Sequence, residues 1–170
     1  MNLKDYIIDV KDHPKEGIVF KDITPILSDS IAYKYAITKL EEICIELKAD
    51  VIVAAESRGY FFGCPLAHDL GCSFIPARKP GKLPRETISY KYDLEYGTNE
   101  IHIHKGDIKP GQKVIILDDL LATGGTTHAI AKLVEQCQAE VINIVCLVEL
   151  EFLNGRDALK GYNVTSVIKY

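Results

Sequence analysis

Apolar residues recur along the chain with two periods, one typical of helices and one typical of strands. Over residues 30–50 they lie three or four positions apart, which predicts a helix with one buried stripe. The stripe comprises Tyr33, Ile37, Leu40, Ile43, Cys44 and Leu47. Further helices are predicted over residues 60–70, closed by Gly71, and around residues 130–137.

Short apolar runs, rich in β-branched residues, separate these helices. Each run is too short for a helix and suits a strand that is buried on both faces. These runs are residues 51–55, 73–77, 114–117 and 141–148. Residues 100–104 alternate as a half-exposed strand does, and residues 163–170 form a last predicted strand. Strands and helices in this order predict a mostly parallel α/β sheet covered on both faces.

The composition is that of a folded globular protein. The chain has 170 residues, 47% hydrophobic and 26% charged, which favours one domain over residues 1–170. Its net charge of -4 argues against a surface that binds nucleic acid. The start lacks the pattern of a signal peptide, and no apolar run approaches the ~20 residues that cross a bilayer. Five cysteines without a C-x-x-C pair indicate free thiols in a reducing compartment. Taken together, these features lead us to expect a cytoplasmic protein without nucleic-acid or membrane partners.

Two adjacent carboxylates and a glycine pair follow the apolar run at residues 114–117. In KVIILDDLLATGGTT, residues 113–127, we predict that the strand ends at Asp118 and that a loop leads to a helix starting near His128. Ligands of parallel sheets bind beyond the carboxyl ends of the strands. Glycines, threonine hydroxyls and a helix N-terminus suit a phosphate, whereas carboxylates suit hydroxyl groups or a hydrated cation. The pattern therefore predicts a site for a ribose 5-phosphate.

This string resembles the phosphoribosyl diphosphate (PRPP) binding motif of type I phosphoribosyltransferases. The resemblance implies that Asp118 and Asp119 bind the ribose 2- and 3-hydroxyls. The 5-phosphate would be held by Ala122, Thr123, Gly124, Gly125 and Thr126. The family fold is a central, mostly parallel twisted sheet flanked by helices, with a small N-terminal hood and a long flexible loop.

The sequence ESRG, residues 56–59, follows the apolar run at residues 51–55 and supplies a second turn with backbone donors. It resembles the pyrophosphate loop of the same family. Glu56, Ser57 and Arg58 would then bind pyrophosphate, with Arg58 also among the catalytic residues. A strained or cis peptide is expected in such a loop. Taken without the resemblance, Arg58 would simply pair with Glu56 at the surface.

The segment RKPGKLPRETISYK, residues 78–91, carries five basic residues and one acid. A long stretch without a clear period inside a small domain predicts a mobile lid over departing pyrophosphate. RKPGKLP and the following YDLEYG resemble the flexible loop of adenine phosphoribosyltransferases. The resemblance places Arg78, Lys79 and Lys82 on pyrophosphate, with Lys79 also catalytic. It makes Glu95 a catalytic residue that hydrogen-bonds to the purine or exchanges a proton with it.

The segment HPKEGIVFKDITP, residues 13–25, is interrupted by prolines and a glycine. It resembles the base-binding hood of the adenine enzymes, to which residues 1–30 would contribute. Phe20 would stack on adenine, and the backbone groups of Val19 and Lys21 would read its 6-amino edge. His13 and Lys21 depart from the residues that are more frequent in the family, which leaves any role for the Lys21 side chain open.

The resemblance implies an adenine phosphoribosyltransferase of purine salvage, which converts adenine and PRPP into AMP and pyrophosphate. It implies a homodimer, and Mg²⁺ held through PRPP and water without direct protein ligands. Two alternatives stay open: transfer to xanthine, hypoxanthine, guanine or orotate, and a non-catalytic regulator that senses PRPP. Ala122 stands where the hypoxanthine-guanine enzymes usually carry Asp, and the basic loop favours catalysis. His102 and His104 share a strand face without a third ligand nearby, so no metal site is expected there.

Overall fold

A computed structural model describes residues 1–93 and 98–170 of the chain. These residues divide into two units, Met1–Lys39 and Leu40–Tyr170. In the first unit, β1 (Ile8–Lys11) and β2 (Val19–Asp22) form an antiparallel pair. The short helix α1 (Thr24–Ser28) follows, with proline in its first turn, and α2 (Ser30–Cys44) begins in this unit. The carboxylate of Asp29 accepts hydrogen bonds from the first backbone N–H groups of α2.

The second unit contains the remaining strands and helices. In chain order they are β3 (Val51–Ala55), α3 (Arg58–Leu70), β4 (Ser73–Ala77), β5 (Thr87–Asp93), β6 (Thr98–His104), β7 (Lys113–Leu121), α4 (Gly125–Gln136), β8 (Glu140–Glu149) and β9 (Val164–Lys169). Within the described residues, five strands form a parallel sheet in the order β4-β3-β7-β8-β9. The predicted parallel α/β architecture is therefore confirmed.

The two faces of the sheet are covered differently. Helix α3 covers one face with its buried side chains Phe62 and Leu66. Gly63 permits this close packing, because a Cβ there would lie 2.9 Å from both the Ala54 Cβ and the Phe74 ring. On the other face, α4 and the antiparallel pair β5–β6 pack into one apolar cluster with β3, β7 and β8.

Two predicted boundaries were wrong, and one strand was missed. Strand β7 does not end at Asp118 but continues to Leu121, because it keeps pairing with β8 beyond that residue. Helix α4 begins at Gly125 rather than near His128. Residues 78–97 were predicted to lack regular structure, yet they contain β5. The inward positions of β5, Ile88, Tyr90 and Tyr92, do alternate with polar residues, so a period-two signal was present.

A charged pair fixes the chain after β8. Glu149 is buried at the end of that strand, and its carboxylate oxygens lie 2.5 Å from Arg156 Nε and 2.8 Å from Arg156 Nη2. Ser166 Oγ donates to the same carboxylate at 2.5 Å. The hydrogen bonds from Arg156 lower the pKa of Glu149 to about 2. This pair attaches the 3₁₀ turn Gly155–Leu159 to the carboxyl end of β8.

Replacing Arg156 by alanine should leave the Glu149 carboxylate buried without its main partner. We expect Arg156→Ala to lower the free energy of unfolding at pH 7 by about 2 to 3 kcal/mol, less than for a fully buried pair because Arg156 is partly exposed. Since the folded-state pKa of Glu149 is lowered from 4.5 to about 2, the stabilisation is complete above pH 4.5 and disappears as the pH falls toward 2. Urea unfolding of both chains across this pH range measures the effect.

Lys160→Ala provides the matched control, because Lys160 forms an exposed ion pair with Asp157 in the same turn. It should change the unfolding free energy by less than about 1 kcal/mol. A difference between wild type and Arg156→Ala that stays constant over the whole acid range would contradict this role of the pair.

Candidate active site

The carboxyl ends of the neighbouring strands β3, β4 and β7 lie at the same end of the sheet. The residues that follow β3 and β4 meet there. Ala55 of β3 pairs with Ala77 of β4, and Ala54 pairs with Leu117 of β7. The next residues after β3 and β4, Glu56 and Arg78, therefore lie side by side, and Asp118 of β7 is level with Ala55. The peptide bond between Glu56 and Ser57 is cis, which agrees with the expectation of a strained or cis peptide in this loop.

The two aspartates lie within strand β7, and both approach the first residues of α3. Asp119 is buried, and its Oδ2 lies 2.8 Å from Arg58 Nε, which forms an ion pair that links α3 to β7. The contact is not aligned as a hydrogen bond, and no described group donates one to that oxygen. Gly59 permits the approach of α3, because a Cβ there would lie 3.3 Å from Asp118 Oδ1. Asp118 Oδ1 accepts a hydrogen bond from the backbone N–H of Asp119.

Removal from bulk water raises the pKa of Asp118 well above its ordinary value, and the neighbouring Asp119 raises it further. The positive charge of Arg58 opposes both effects. The Asp118 carboxylate is therefore held in a place that disfavours its charge, although the Asp119 N–H and the charge of Arg58 partly offset this. Hydroxyl groups or a hydrated cation at this point would favour the ionised form.

Residues 122–126 form a tight turn between β7 and α4. Gly124 has a φ of 84°, which disfavours any residue with a side chain. The first N–H groups of α4 have no partners within the helix, and its dipole favours negative charge at this end. A cavity of about 80 Å³ lies here, lined by Asp118, Leu120 and residues 122–127. The Asp118 carboxylate and the anion-binding backbone groups of the turn thus line one cavity.

The backbone of this turn rests on Gly155. A Cβ at Gly155 would lie 2.3 Å from the carbonyl oxygen of Ala122. In the opposite direction, a Cβ at Gly124 would lie within collision distance of the Gly155 carbonyl. Sequence reasoning missed Gly155 and Arg156, because nothing local indicates that residues 122 and 155 are in contact.

Glu56 binds the basic segment that follows β4. Its carboxylate accepts hydrogen bonds from Arg78 Nη2 at 3.1 Å and from the backbone N–H of Lys79 at 2.9 Å. The hydrogen bond from Arg78 is the main reason why the pKa of Glu56 lies below its ordinary value. Residues 79–82 form a turn closed from Lys82 N–H to the Lys79 carbonyl, with Gly81 at a φ of 76°. Glu56, Arg78, Lys79 and Lys82 are thus brought together.

The hairpin β5–β6 reaches the same turn. Tyr92 Oη lies 3.0 Å from Thr126 Oγ1, and the Tyr92 ring lies 3.4 Å from where a Cβ of Gly125 would be. Sequence reasoning did not single out Tyr92. The predicted catalytic Glu95 belongs to residues 94–97, which lie outside the described residues.

The predicted base-binding residues Val19, Phe20 and Lys21 lie on β2 in the first unit. Lys21 Nζ forms an ion pair with Asp9 Oδ1 at 2.6 Å across the β1–β2 pair. His13 packs edge-on against Phe20, with ring centroids 5.1 Å apart. Both positions where the sequence departs from the family pattern are therefore engaged within this small unit.

Residues 1–93 and 98–170 contain no cluster of three or more His, Cys, Asp or Glu side chains that is placed to hold a metal ion. None of the helices in the same ranges is long and apolar enough to cross a membrane.

The sequence and fold were compared with known proteins. A family model for the phosphoribosyl transferase domain matches residues 26–168. The adenine phosphoribosyltransferase of Alkaliphilus metalliredigens is 53% identical over 170 residues, which is all of both chains. The chain belongs to the adenine phosphoribosyltransferase family. The predicted family and the predicted family fold are thereby confirmed.

Solved adenine phosphoribosyltransferases have the same fold. The crystal structure of the Thermoanaerobacter pseudethanolicus protein superposes with a TM-score of 0.96 at 53% identity, over 99% of this chain and 98% of that one. The Saccharomyces cerevisiae protein superposes with a TM-score of 0.91 at 41% identity, over 97% and 96% of the two chains. That structure was solved with adenine and an imino-altritol bisphosphate.

Replacing Gly155 by alanine tests the support of the turn at residues 122–126 in this adenine phosphoribosyltransferase. The added methyl group would displace the Ala122 carbonyl, so we expect the free energy of unfolding to fall by about 1 to 3 kcal/mol. We also expect the affinity for AMP, measured by calorimetric titration, to fall about tenfold. Asp157→Ala, an exposed change in the same 3₁₀ turn, should leave both quantities nearly unchanged. Wild-type stability and affinity in Gly155→Ala would contradict the proposed support.

Proposed function

We propose that this chain transfers the phosphoribosyl group of PRPP to adenine and releases AMP and pyrophosphate, a reaction of purine salvage. The observation that carries the proposal is the cavity at the end of β7, which is lined by Asp118 and by the anion-binding turn, while the second carboxylate, Asp119, is the next residue of the same strand. A ribose 5-phosphate has the complementary order of groups, since its hydroxyls donate and its phosphate accepts. Relatives that are 53% and 54% identical over nearly the whole chain are named adenine phosphoribosyltransferases, which supports adenine as the base.

The sugar phosphate would be bound from both ends. Asp118 and Asp119 accept hydrogen bonds from the 2- and 3-hydroxyls, and burial makes these charge-assisted bonds strong. The 5-phosphate is bound by the backbone N–H groups and hydroxyls of residues 122–126. Fixing the ribose in this way presents its C1 atom to the base and to the leaving group at the same time.

The pyrophosphate leaves from the side of the cis peptide and the basic segment. The basic residues Arg58, Arg78, Lys79 and Lys82 neutralise its growing charge, and Ser57 donates a hydrogen bond to it, with Arg58 and Lys79 closest to the chemistry. Glu56 would repel pyrophosphate directly. Its hydrogen bonds to Arg78 and to the Lys79 N–H instead support a role in holding these donors in place. Arg58 also contacts Asp119, which joins the ribose and pyrophosphate parts of the site.

We infer that Mg²⁺ enters with PRPP and is held through PRPP and water. Asp118 and Asp119 fit this arrangement, because a buried oxygen of Asp119 accepts no aligned hydrogen bond within the described residues. When bound, the ion neutralises charge on the pyrophosphate.

Adenine would be bound by the N-terminal unit. Phe20 stacks on the purine, and the backbone groups of Val19 and Lys21 read the 6-amino edge. The ion pair between Lys21 and Asp9 supports a backbone role for Lys21, since its side chain is held elsewhere. Glu95 hydrogen-bonds to the purine or exchanges a proton with it as the new bond forms. In this proposal residues 1–170 act as one domain, with residues 1–30 as the hood, in a cytoplasmic homodimer.

A panel of bases tests the function. Incubation with Mg-PRPP and, separately, adenine, hypoxanthine, guanine, xanthine and orotate should give AMP at a rate at least about a hundredfold above any other nucleotide, because a 6-oxo base reverses the hydrogen-bonding pattern of the edge. Product formed only with a 6-oxo base would contradict the specificity. Tight binding of PRPP without product from any base would instead indicate a regulator.

The raised pKa of Asp118 predicts proton release when AMP binds. Ribose hydroxyls that donate to this carboxylate favour its charged form, so its pKa falls on binding and protons are released. Affinity should therefore rise with pH between the pKa of the complex and the higher pKa of the free chain. Calorimetric titrations in buffers of low and high ionisation enthalpy count the protons. Asp118→Asn should lose this part of the release, and equal proton counts for the two chains between pH 5 and 8 would rule out the assignment.

A further inference from the structure

The contact between Tyr92 and Thr126 joins two parts of the site that are remote in sequence. Tyr92 lies on β5, and Thr126 is the second residue of α4. We propose that Tyr92 is a positioning residue for PRPP binding. The Tyr92 hydroxyl donates a hydrogen bond to Thr126 Oγ1 and so directs the Thr126 hydroxyl proton toward the 5-phosphate. This inference rests on the proposed function, because it takes Thr126 to bind that phosphate.

The geometry fixes the Tyr92 side chain on two sides. Its Oη lies 3.0 Å from Thr126 Oγ1, an ordinary hydrogen-bond length between hydroxyls. Its ring carbons lie 3.4 and 3.5 Å from where a Cβ of Gly125 would be. The half-buried ring therefore fills the space beside Gly125, and its hydroxyl reaches the adjacent threonine.

The direction of the hydrogen bond follows from counting protons. Each hydroxyl has one proton to donate, while its oxygen can accept more than one hydrogen bond. A bound phosphate oxygen only accepts, so Thr126 must use its proton for the phosphate. Tyr92 must then be the donor in its contact with Thr126. An anion in the turn therefore aligns both hydroxyls in one direction, and each bond strengthens the other.

The position of Tyr92 along β5 gives the contact a second consequence. Residue 92 comes three positions before Glu95 in the sequence. The strand that leads to the proposed purine-binding acid is therefore attached to the turn that binds the sugar phosphate. Loss of the Tyr92 hydroxyl should weaken the binding of PRPP and leave recognition of the base nearly unchanged.

Tyr92→Phe keeps the ring beside Gly125 and removes only the hydroxyl. We expect KM for PRPP and the Kd for ribose 5-phosphate to rise about five- to tenfold, the effect of one hydrogen bond, while KM for adenine changes less than twofold. Tyr90→Phe is the matched control. Tyr90 lies two residues earlier on the same face of β5, where its ring packs edge-on against His128, and its variant should keep wild-type constants.

A double-mutant cycle separates positioning from packing. In a Thr126→Val chain the hydroxyl that Tyr92 orients is gone, so adding Tyr92→Phe should have less than a twofold further effect on the Kd for ribose 5-phosphate. In a Thr126→Ser chain, Tyr92→Phe should again weaken binding about five- to tenfold. Equal effects of Tyr92→Phe in the Val and Ser chains would overturn the inference, because only a role in packing is independent of the hydroxyl.

The titration with ribose 5-phosphate distinguishes this inference from the proposed function, since it needs no base. Activity with another base would overturn the specificity for adenine and leave the Tyr92 result valid. Wild-type affinity in Tyr92→Phe would overturn the inference alone. No binding of ribose 5-phosphate to the unaltered chain would overturn both.

Discussion

The hydrogen-bond ladder of β7 continues past two adjacent carboxylates before the chain turns into α4, and the site depends on this continuation. Because the aspartates belong to a strand, their positions are fixed by pairing with β8 and not by a loop. Ionised side chains at this place disfavour the folded chain by themselves, as the raised pKa of Asp118 indicates. The structure accepts this cost where a ligand with hydroxyl groups would remove it.

Three parts of the chain that are far away in sequence hold the turn after β7 and the diacid that precedes it. Gly155 touches its backbone and is attached to the sheet by Arg156 and Glu149. Tyr92 touches its other side, and Arg58 reaches the diacid from the start of α3. A binding site must be held close to its productive geometry by such neighbours, since the residues of a short turn cannot fix one another.

Charge compensation explains the remaining arrangement. Arg58 faces Asp119, and Arg78 faces Glu56, so cations and anions alternate at the carboxyl ends of these strands. Such alternation keeps the basic side chains ordered while no anionic ligand is bound. It also explains why Glu56, an acid in a region proposed to bind pyrophosphate, is compatible with that role.

The parallel α/β architecture and the family were predicted from local patterns. Uniformly apolar runs such as residues 51–55 have few possible places in a small fold, and DDLLATGGTT combines hydroxyl-binding and phosphate-binding groups within ten positions. The strand at residues 87–93 was missed although its alternation was visible, because prolines and basic residues before it suggested a loop. Where β7 ends was also misjudged, since that boundary depends on how far β8 continues beside it.

Only the folded chain could bring Gly155 to Ala122, Tyr92 to Thr126 and Arg58 to Asp119. These contacts join residues separated by 33 or more positions, and no periodicity or motif encodes such pairs. They arise because a 3₁₀ turn, a separate hairpin and the start of α3 all pack at the carboxyl end of β7. Local spacing thus determined which groups are candidates for binding the ligand, while long-range packing determined which groups hold them in place.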